Sequence, residues 1–314
     1  MIRAATLSLL LGVMAGILFA FNIFSAAPNI ESRVLQTEVV DEALPPEQVQ
    51  PGIAEQVTKA LVEAYPQRII RAEFRNGDWA VLLRDAWFYY AEGRLLPEEL
   101  RHRALEYRPI AFYNYPLELP PWTAPSPEEA NRLSNMANAR DTSQPRSHYF
   151  FDALYRAHNR DEAYERVKTL RFLGFAVTVH QSILEELALV EEHIRVAART
   201  SAQVQTWISN IDTMHGWTWR NVVGSQSRSF HSYGVAIDIL PRAPGNRAIY
   251  WQWAGPAWWN IPYERRHHPP DAVIRIFESY GFVWGGKWPF FDTMHSEYRP
   301  EVMILNGIEM STLR

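Results

Sequence analysis

The chain has 314 residues, a formal net charge of −4 at pH 7, 47% hydrophobic residues and no cysteine. This length fits one large domain or two smaller ones; the apolar fraction excludes whole-chain disorder, and the slightly acidic charge without a long Lys/Arg run excludes a nucleic-acid-binding surface. The absence of cysteine excludes disulfides, thiolate zinc sites and a thiol nucleophile, so any metal must be bound by His, Asp and Glu.

Residues 4–27 form an apolar segment without charge, directly after Met1, Ile2 and Arg3. As a helix this segment would span about 36 Å, which is enough to cross a bilayer core of about 30 Å. Small residues near Ala27 offer a signal-peptide cleavage point, but the run is long for a cleaved signal. We therefore predict a single N-terminal membrane segment within residues 1–27, an anchor in preference to a cleaved signal peptide. Because the positive charges at its start stay inside, most of the chain would lie outside the membrane.

The region that follows is predicted to be an accessory part of the molecule. Residues 28–52 are acidic and contain prolines, which is typical of a tether. Apolar spacing predicts a helix from Ile53 to Tyr65, ended by Pro66. Asn76-Gly77 between two β-like runs predicts a hairpin, and residues 86–91 form another β-like run. The sequence assigns residues 53–147 no role beyond this helix and hairpin.

Residues 148–314 are predicted to form the main domain. Periodicity and capping residues predict helices over residues 148–173 (with Gly174 as its stop), 183–198, 200–210 and 270–280. Short β-like runs and most of the twelve tryptophans lie beyond Gly216. This order, helices first and a strand-rich segment after them, favours an α+β fold.

The segment of residues 229–238 carries the first candidate site residues. His231 precedes a turn that Gly234 can make without the steric penalty of a Cβ atom. Asp238 follows within a run of aliphatic residues, where an ionised carboxylate is costly to bury unless it is paired or bound to a metal. We therefore expect His231 and Asp238 to be neighbours across a cleft.

A second segment, residues 291–298, supplies Asp292 and His295. Their spacing of three residues places both side chains on one face of a helical turn. Together with His231 and Asp238, His295 completes a set of two histidines and one carboxylate, and catalytic zinc takes three protein ligands with an open position for water. Asp292 is then the carboxylate left to accept a proton from that water.

The string Ser229-x-His231-x-x-Gly234-x-Ala236-x-Asp238, followed by Asp292-x-x-His295, resembles the signature of the zinc D-alanyl-D-alanine carboxypeptidase family. That family includes vancomycin-resistance-type dipeptidases and carboxypeptidases and L-alanyl-D-glutamate endopeptidases. The resemblance covers residues 217–299. It implies a small antiparallel sheet with flanking helices, Zn²⁺ held by His231, Asp238 and His295, and Asp292 as the general base.

Four other residues near the two motifs have expected roles in the site. The family uses an arginine to steady the substrate carbonyl oxygen, and Arg220 is our first candidate and Arg228 the second. Ser296 stands where many relatives carry an aromatic residue, which we expect to alter the cleft wall. Glu297 competes with Asp292 as the base, although a salt bridge to Arg299 or support of a ligand suits it better. The segment 284–288 is interpreted either as the wall of a peptide groove or as core packing.

The function that the resemblance implies is hydrolysis of peptidoglycan stem peptides, with a D-alanyl-D-alanine carboxypeptidase as the first choice. An L-alanyl-D-glutamate-type endopeptidase, a zinc hydrolase of another peptide and a non-catalytic cell-wall-binding module are the alternatives; the presence of Asp292 argues against the last. Because the substrate lies outside the inner membrane, we expect the protein in the bacterial periplasm or at the cell surface, anchored to the inner membrane by its N-terminal segment.

Overall fold

A computed structural model describes residues 52–311, so the predicted anchor within residues 1–27 and nearly all of the predicted tether lie outside the described residues. Within residues 52–311, no helix is both long enough and apolar enough to span a bilayer. The helices are α1 (Ile53–Ala64), α2 (Pro127–Asn138), α3 (Tyr149–Tyr155), α4 (Arg160–Arg166), α5 (Leu184–Ala198), α6 (Ala202–Ser209), α7 (Phe230–Tyr233), α8 (Asp271–Ser279) and α9 (Pro300–Leu305). The strands are β1 (Ile69–Arg75), β2 (Asp78–Leu83), β3 (Ala86–Tyr89), β4 (Leu96–Pro97), β5 (Val167–Phe172), β6 (Phe175–His180), β7 (Ile211–His215), β8 (Ala236–Pro241), β9 (Phe282–Trp284) and β10 (His295–Tyr298).

The first part of the described chain follows its local sequence signals. Helix α1 buries Val57, Ala60 and Leu61, which share one face at helical spacing. Strands β1 to β4 form an antiparallel sheet in that order. The turn between β1 and β2 has positive φ at Asn76 (47°) and Gly77 (82°), which is the geometry of a type I′ hairpin turn. The predicted helix and hairpin are confirmed.

The second sheet has the strand order β7-β8-β10-β9, and all of its neighbouring strands are antiparallel. Its central strand β8 is buried at every position. Helix α8 packs against β9, and α6 leads directly into β7. This small antiparallel sheet with flanking helices, preceded by a helix and a β-hairpin, confirms the predicted α+β fold.

The prediction of one helix over residues 148–173 is wrong. Helix α3 ends at Arg156, which adopts a left-handed φ of 51°, and Asn159 then caps α4 by accepting hydrogen bonds from two backbone N–H groups. The rest of the segment is strand β5, paired with β6 through a turn at Leu173 and Gly174, both with positive φ. Gly174 therefore closes a hairpin, because pairing with β6 outweighs the local helical periodicity.

The other predicted helices are confirmed as α5, α6 and α8. Ser201 caps α6 by accepting a hydrogen bond from the Val204 N–H at 3.3 Å. Gly281, with a φ of 84°, lies just beyond the end of α8. One hydrophobic core joins the predicted accessory region to the predicted main domain, since Val57 and Phe88 belong to the same buried cluster as Phe282.

Candidate metal centre

Helix α7 is a single helical turn that carries His231. The Ser229 hydroxyl accepts a hydrogen bond from the His231 N–H at 3.0 Å, and Gly234 ends the turn with a φ of 73°. A Cβ atom added to Gly234 would lie 2.7 Å from the backbone nitrogen of His180 in β6. The turn therefore packs directly on β6, and glycine is needed at 234 for its conformation and for the space.

The His231 ring is oriented by a backbone carbonyl. Its Nδ1 atom lies 2.5 Å from the Gly216 oxygen, and because a carbonyl can only accept, Nδ1–H donates this hydrogen bond and Nε2 is the nitrogen that faces Asp238. Nε2 lies 3.2 Å from Asp238 Oδ2. A Cβ atom on Gly216 would lie 2.1 Å from the Thr178 carbonyl oxygen, so this carbonyl is held where β6 and the chain after β7 approach each other closely.

Strand register brings His295 to Asp238. The two residues are directly paired between β10 and β8, and His295 Nδ1 lies 2.9 Å from Asp238 Oδ1. The opposite ring nitrogen, Nε2, lies 3.1 Å from Glu297 Oε2. Since an ionised Glu297 carboxylate only accepts, Nε2–H donates a hydrogen bond to it and Nδ1 is turned toward Asp238.

These three side chains fit a zinc ion. One ligand atom from each of His231, Asp238 and His295 lies within 4.8 Å of the others, and all three residues are buried; within residues 52–311 this is the one group of three or more His, Asp and Glu with such a geometry. Two imidazole nitrogens and a carboxylate oxygen are ordinary zinc ligands. Each imidazole also donates its other N–H to an oxygen, which is the usual outer support of a zinc-bound histidine.

The ionisable groups of the cluster shift one another's pKa values. Burial opposes ionisation of Asp238, but the charge of His231 and the hydrogen bonds from His231 and His295 hold the pKa of its carboxyl well below the usual range. Burial likewise opposes protonation of His295, but hydrogen bonds to Asp238 and Glu297 raise its pKa well above the usual value. A proton at His295 therefore occupies the position that a bound cation would take, so metal binding must release it.

Asp292 lies in the turn before β10, where the structure corrects the predicted helical turn. His295 is the first residue of a strand, and its N–H reaches the Asp292 carbonyl across the turn at 3.4 Å. The Asp292 side chain is fully buried, and Oδ1 accepts a hydrogen bond from the Met294 N–H at 3.2 Å. Asp292 thus stays outside the three-ligand cluster, although the sequence places it only three residues before a ligand.

Residues that the sequence analysis did not single out border Asp292 and Asp238. Tyr250 pairs with Asp292 in an isolated bridge. Burial raises the Tyr250 pKa, the Arg140 charge opposes this rise and the Asp292 charge adds to it. His215 lies opposite Asp238 on β7. No motif marks these residues, because strand pairing and a distant loop bring them to the site.

The two candidate arginines differ in their surroundings. The Arg228 guanidinium forms an ion pair with the buried Asp152 and lies over the Trp219 ring at 4.5 Å. Arg220 is half-buried, and its backbone is tied to α7, since its N–H donates to the Ser232 hydroxyl at 2.9 Å. The Arg228 charge is thus paired with a buried carboxylate, and the Arg220 backbone is held by the turn that carries His231.

The tryptophans of the segment 284–288 are core residues, as one of the two interpretations of this segment predicted. Trp284 is buried in the core, and a Cβ atom on Gly286 would lie 2.1 Å from its ring. Trp288 is equally buried, and its ring lies 5.6 Å from the ring of His295, so it packs beside the metal cluster. Ser296 lies on the opposite face of β10 from His295 and borders a small apolar cavity. Our expectation that Ser296 shapes the cleft wall is therefore corrected.

Comparisons with known proteins agree with this geometry. Residues 223–298 match a family model described as D-alanyl-D-alanine carboxypeptidase, which supports a metallopeptidase of this family without distinguishing the subtype. The match includes the three cluster residues and Asp292 but begins just after Arg220. Residues 57–112 match the model of a domain of unknown function. No curated protein and no solved structure matches the chain significantly.

Proposed function

We propose that the protein is a zinc-dependent peptidase that cleaves peptidoglycan stem peptides, with D-alanyl-D-alanine carboxypeptidase activity as the first choice. The observation that carries the proposal is the buried cluster of His231, Asp238 and His295 inside the segment that matches the carboxypeptidase family. Zinc in such a cluster lowers the pKa of a bound water and polarises a substrate carbonyl. We place the protein in the periplasm or at the cell surface of a bacterium, anchored to the inner membrane by residues 1–27.

The proposed roles of the remaining residues follow from their positions. Asp292, buried three residues before the proposed ligand His295 and outside the three-ligand cluster, accepts a proton from the attacking water and returns it to the leaving amine. Arg220 donates hydrogen bonds to the carbonyl oxygen as negative charge develops there. Asp238 and the two histidines hold the metal and take no part in proton transfer.

Digestion of purified peptidoglycan by the full chain, followed by mass spectrometry of the products, tests the proposal. Loss of a terminal D-alanine supports the carboxypeptidase, whereas stem peptides cut between L-alanine and D-glutamate indicate the endopeptidase. An intact substrate in the presence of a zinc-loaded protein would leave two alternatives, the non-catalytic module and a hydrolase of another peptide. A library of unrelated peptides separates these two.

The Asp292→Asn variant tests the base. It keeps the side-chain shape and an acceptor oxygen but cannot take a proton, so turnover should fall about a hundred- to ten-thousandfold while zinc content stays the same. Asp271→Asn, which changes an exposed carboxylate, is the matched control. Near wild-type turnover of Asp292→Asn would show that another group, with Glu297 the first candidate, is the base. Loss of zinc would instead make Asp292 a ligand.

A further inference from the structure

Arg299 lies directly after β10 and is fully buried, yet it makes polar contacts in three directions. Its Nη1 atom lies 3.3 Å from Glu297 Oε1, its Nε–H donates to Glu301 Oε1, and its Nη2–H donates to the Ala111 carbonyl at 3.2 Å. The other oxygen of Glu297 is the one that faces His295 Nε2 at 3.1 Å. A continuous chain of contacts therefore runs from a metal-cluster histidine to Arg299.

The region of residues 57–112 holds the far end of this chain. The Tyr65 hydroxyl donates a hydrogen bond to Glu301 Oε2 at 2.8 Å, and the Tyr65 side chain is buried. The Ala111 carbonyl comes from the same region. Both residues belong to the segment that matches a domain of unknown function. The sequence of this segment did not indicate a role for it.

The surroundings of Arg299 leave it little freedom. Its guanidinium lies 5.0 Å from the centre of the Phe230 ring and 5.7 Å from that of Phe151. A charge buried among aromatic rings is tolerated only when its hydrogen bonds are satisfied, and here two carboxylates and a carbonyl satisfy them. With Arg299 fixed at Oε1, the Glu297 carboxylate is held in the orientation in which Oε2 reaches His295.

We propose that Arg299 is a positioning residue that fixes the ring of His295 through Glu297, and that residues 57–112 hold Arg299 in place through Tyr65 and Ala111. The accessory region thereby becomes part of the outer support of the metal cluster. This inference rests on the proposed zinc-binding function, in which His295 is a ligand. It goes beyond that function because it assigns a task to a region outside the carboxypeptidase match.

The zinc dissociation constant of the full chain, measured by competition with a chromogenic chelator, is the first test. Loss of an outer partner of a zinc-bound histidine weakens binding by about 10- to 100-fold, which we expect for Glu297→Gln and Arg299→Lys. Tyr65→Phe acts one contact further away and should weaken binding by a few-fold, a smaller effect than that range. The matched controls are Arg94→Lys, which changes another buried arginine, and Tyr107→Phe, which removes another hydroxyl of residues 57–112.

A second measurement follows the His295 ring without metal. Nitrogen-15 NMR of histidine-labelled, zinc-free protein reports the hydrogen bonding of each ring nitrogen. Glu297→Gln and Tyr65→Phe should both shift the His295 Nε2 signal, whereas Tyr107→Phe should not. If Arg299→Lys fails to fold, Glu297→Gln and Tyr65→Phe still test the proposal. The inference is overturned if the network variants have the same zinc affinity and the same His295 signal as the control variants, even if their melting temperatures are lower. The network would then have only a structural role. If the wild-type chain binds no zinc, the proposed function fails, while the NMR shift still decides whether Arg299 positions His295.

Discussion

Replacement of Gly216 by alanine should weaken zinc binding although residue 216 is not a ligand. The added Cβ atom would lie 2.1 Å from the Thr178 carbonyl oxygen, whereas ordinary contact begins at about 3.5 Å. That oxygen cannot retreat easily, because it accepts a hydrogen bond from the Trp217 N–H at 2.6 Å. The backbone at 216 must therefore move by about 1 Å, and the carbonyl that orients His231 moves with it.

Two effects of Gly216→Ala can be separated by measurement. Overpacking of this kind costs about 1–3 kcal/mol of folding free energy, and displacement of the carbonyl should raise the zinc dissociation constant by about 10- to 100-fold. Urea unfolding measures the first effect and chelator competition the second. Val179→Ala changes a fully buried residue of β6, the strand that contains Thr178. This variant should lose comparable stability but retain its zinc affinity. A folded Gly216→Ala protein with wild-type zinc affinity would refute our account of how His231 is oriented.

Two further predictions concern pH and placement. Burial, with the charge of Arg68, lowers the pKa of His180 to about 4. Since its unfolded pKa is about 6.5, His180 binds more protons in the unfolded chain between these values, and its own contribution should lower the stability by about 2 kcal/mol from pH 7 to pH 5. Urea unfolding should show a smaller loss in His180→Gln and an unchanged loss in His158→Gln, which alters an exposed histidine. If residues 4–27 form an anchor, the full chain should fractionate with membranes and resist high salt, whereas a soluble mature form beginning near Pro28 would contradict the anchor.

Elements with strong local signals could be predicted from the sequence. The hairpin at Asn76-Gly77 requires positive φ at both turn residues, and this residue pair adopts that conformation readily. Helix α6 has a side-chain cap at Ser201 that is visible in the sequence. Residues 167–172 were mispredicted because their pairing with β6 is a property of two segments, and periodicity within one of them does not contain it.

In the candidate site, too, the residues of the motif could be predicted from the sequence, whereas the contacts between distant segments could not. The resemblance of the two motifs to the carboxypeptidase signature allowed His231, Asp238 and His295 to be grouped in advance, and the structure brings their ligand atoms together. The partners that orient the two histidines could not be predicted in the same way. The Gly216 carbonyl reaches His231 only because β6 packs against the chain after β7, and the alignment of Glu297 depends on a buried arginine. A sequence motif does not show which backbone carbonyl or which buried ion pair orients a ligand.

The contacts that support the cluster extend beyond both ends of the segment that matches the carboxypeptidase family. Residues 223–298 contain the proposed ligands, but Gly216 precedes them and Arg299 follows them. Arg140, whose charge acts on Tyr250, the bridge partner of Asp292, comes from a third part of the chain. The matching segment therefore provides the proposed metal ligands, whereas the orientation of the two histidines and the surroundings of Asp292 depend partly on residues outside it.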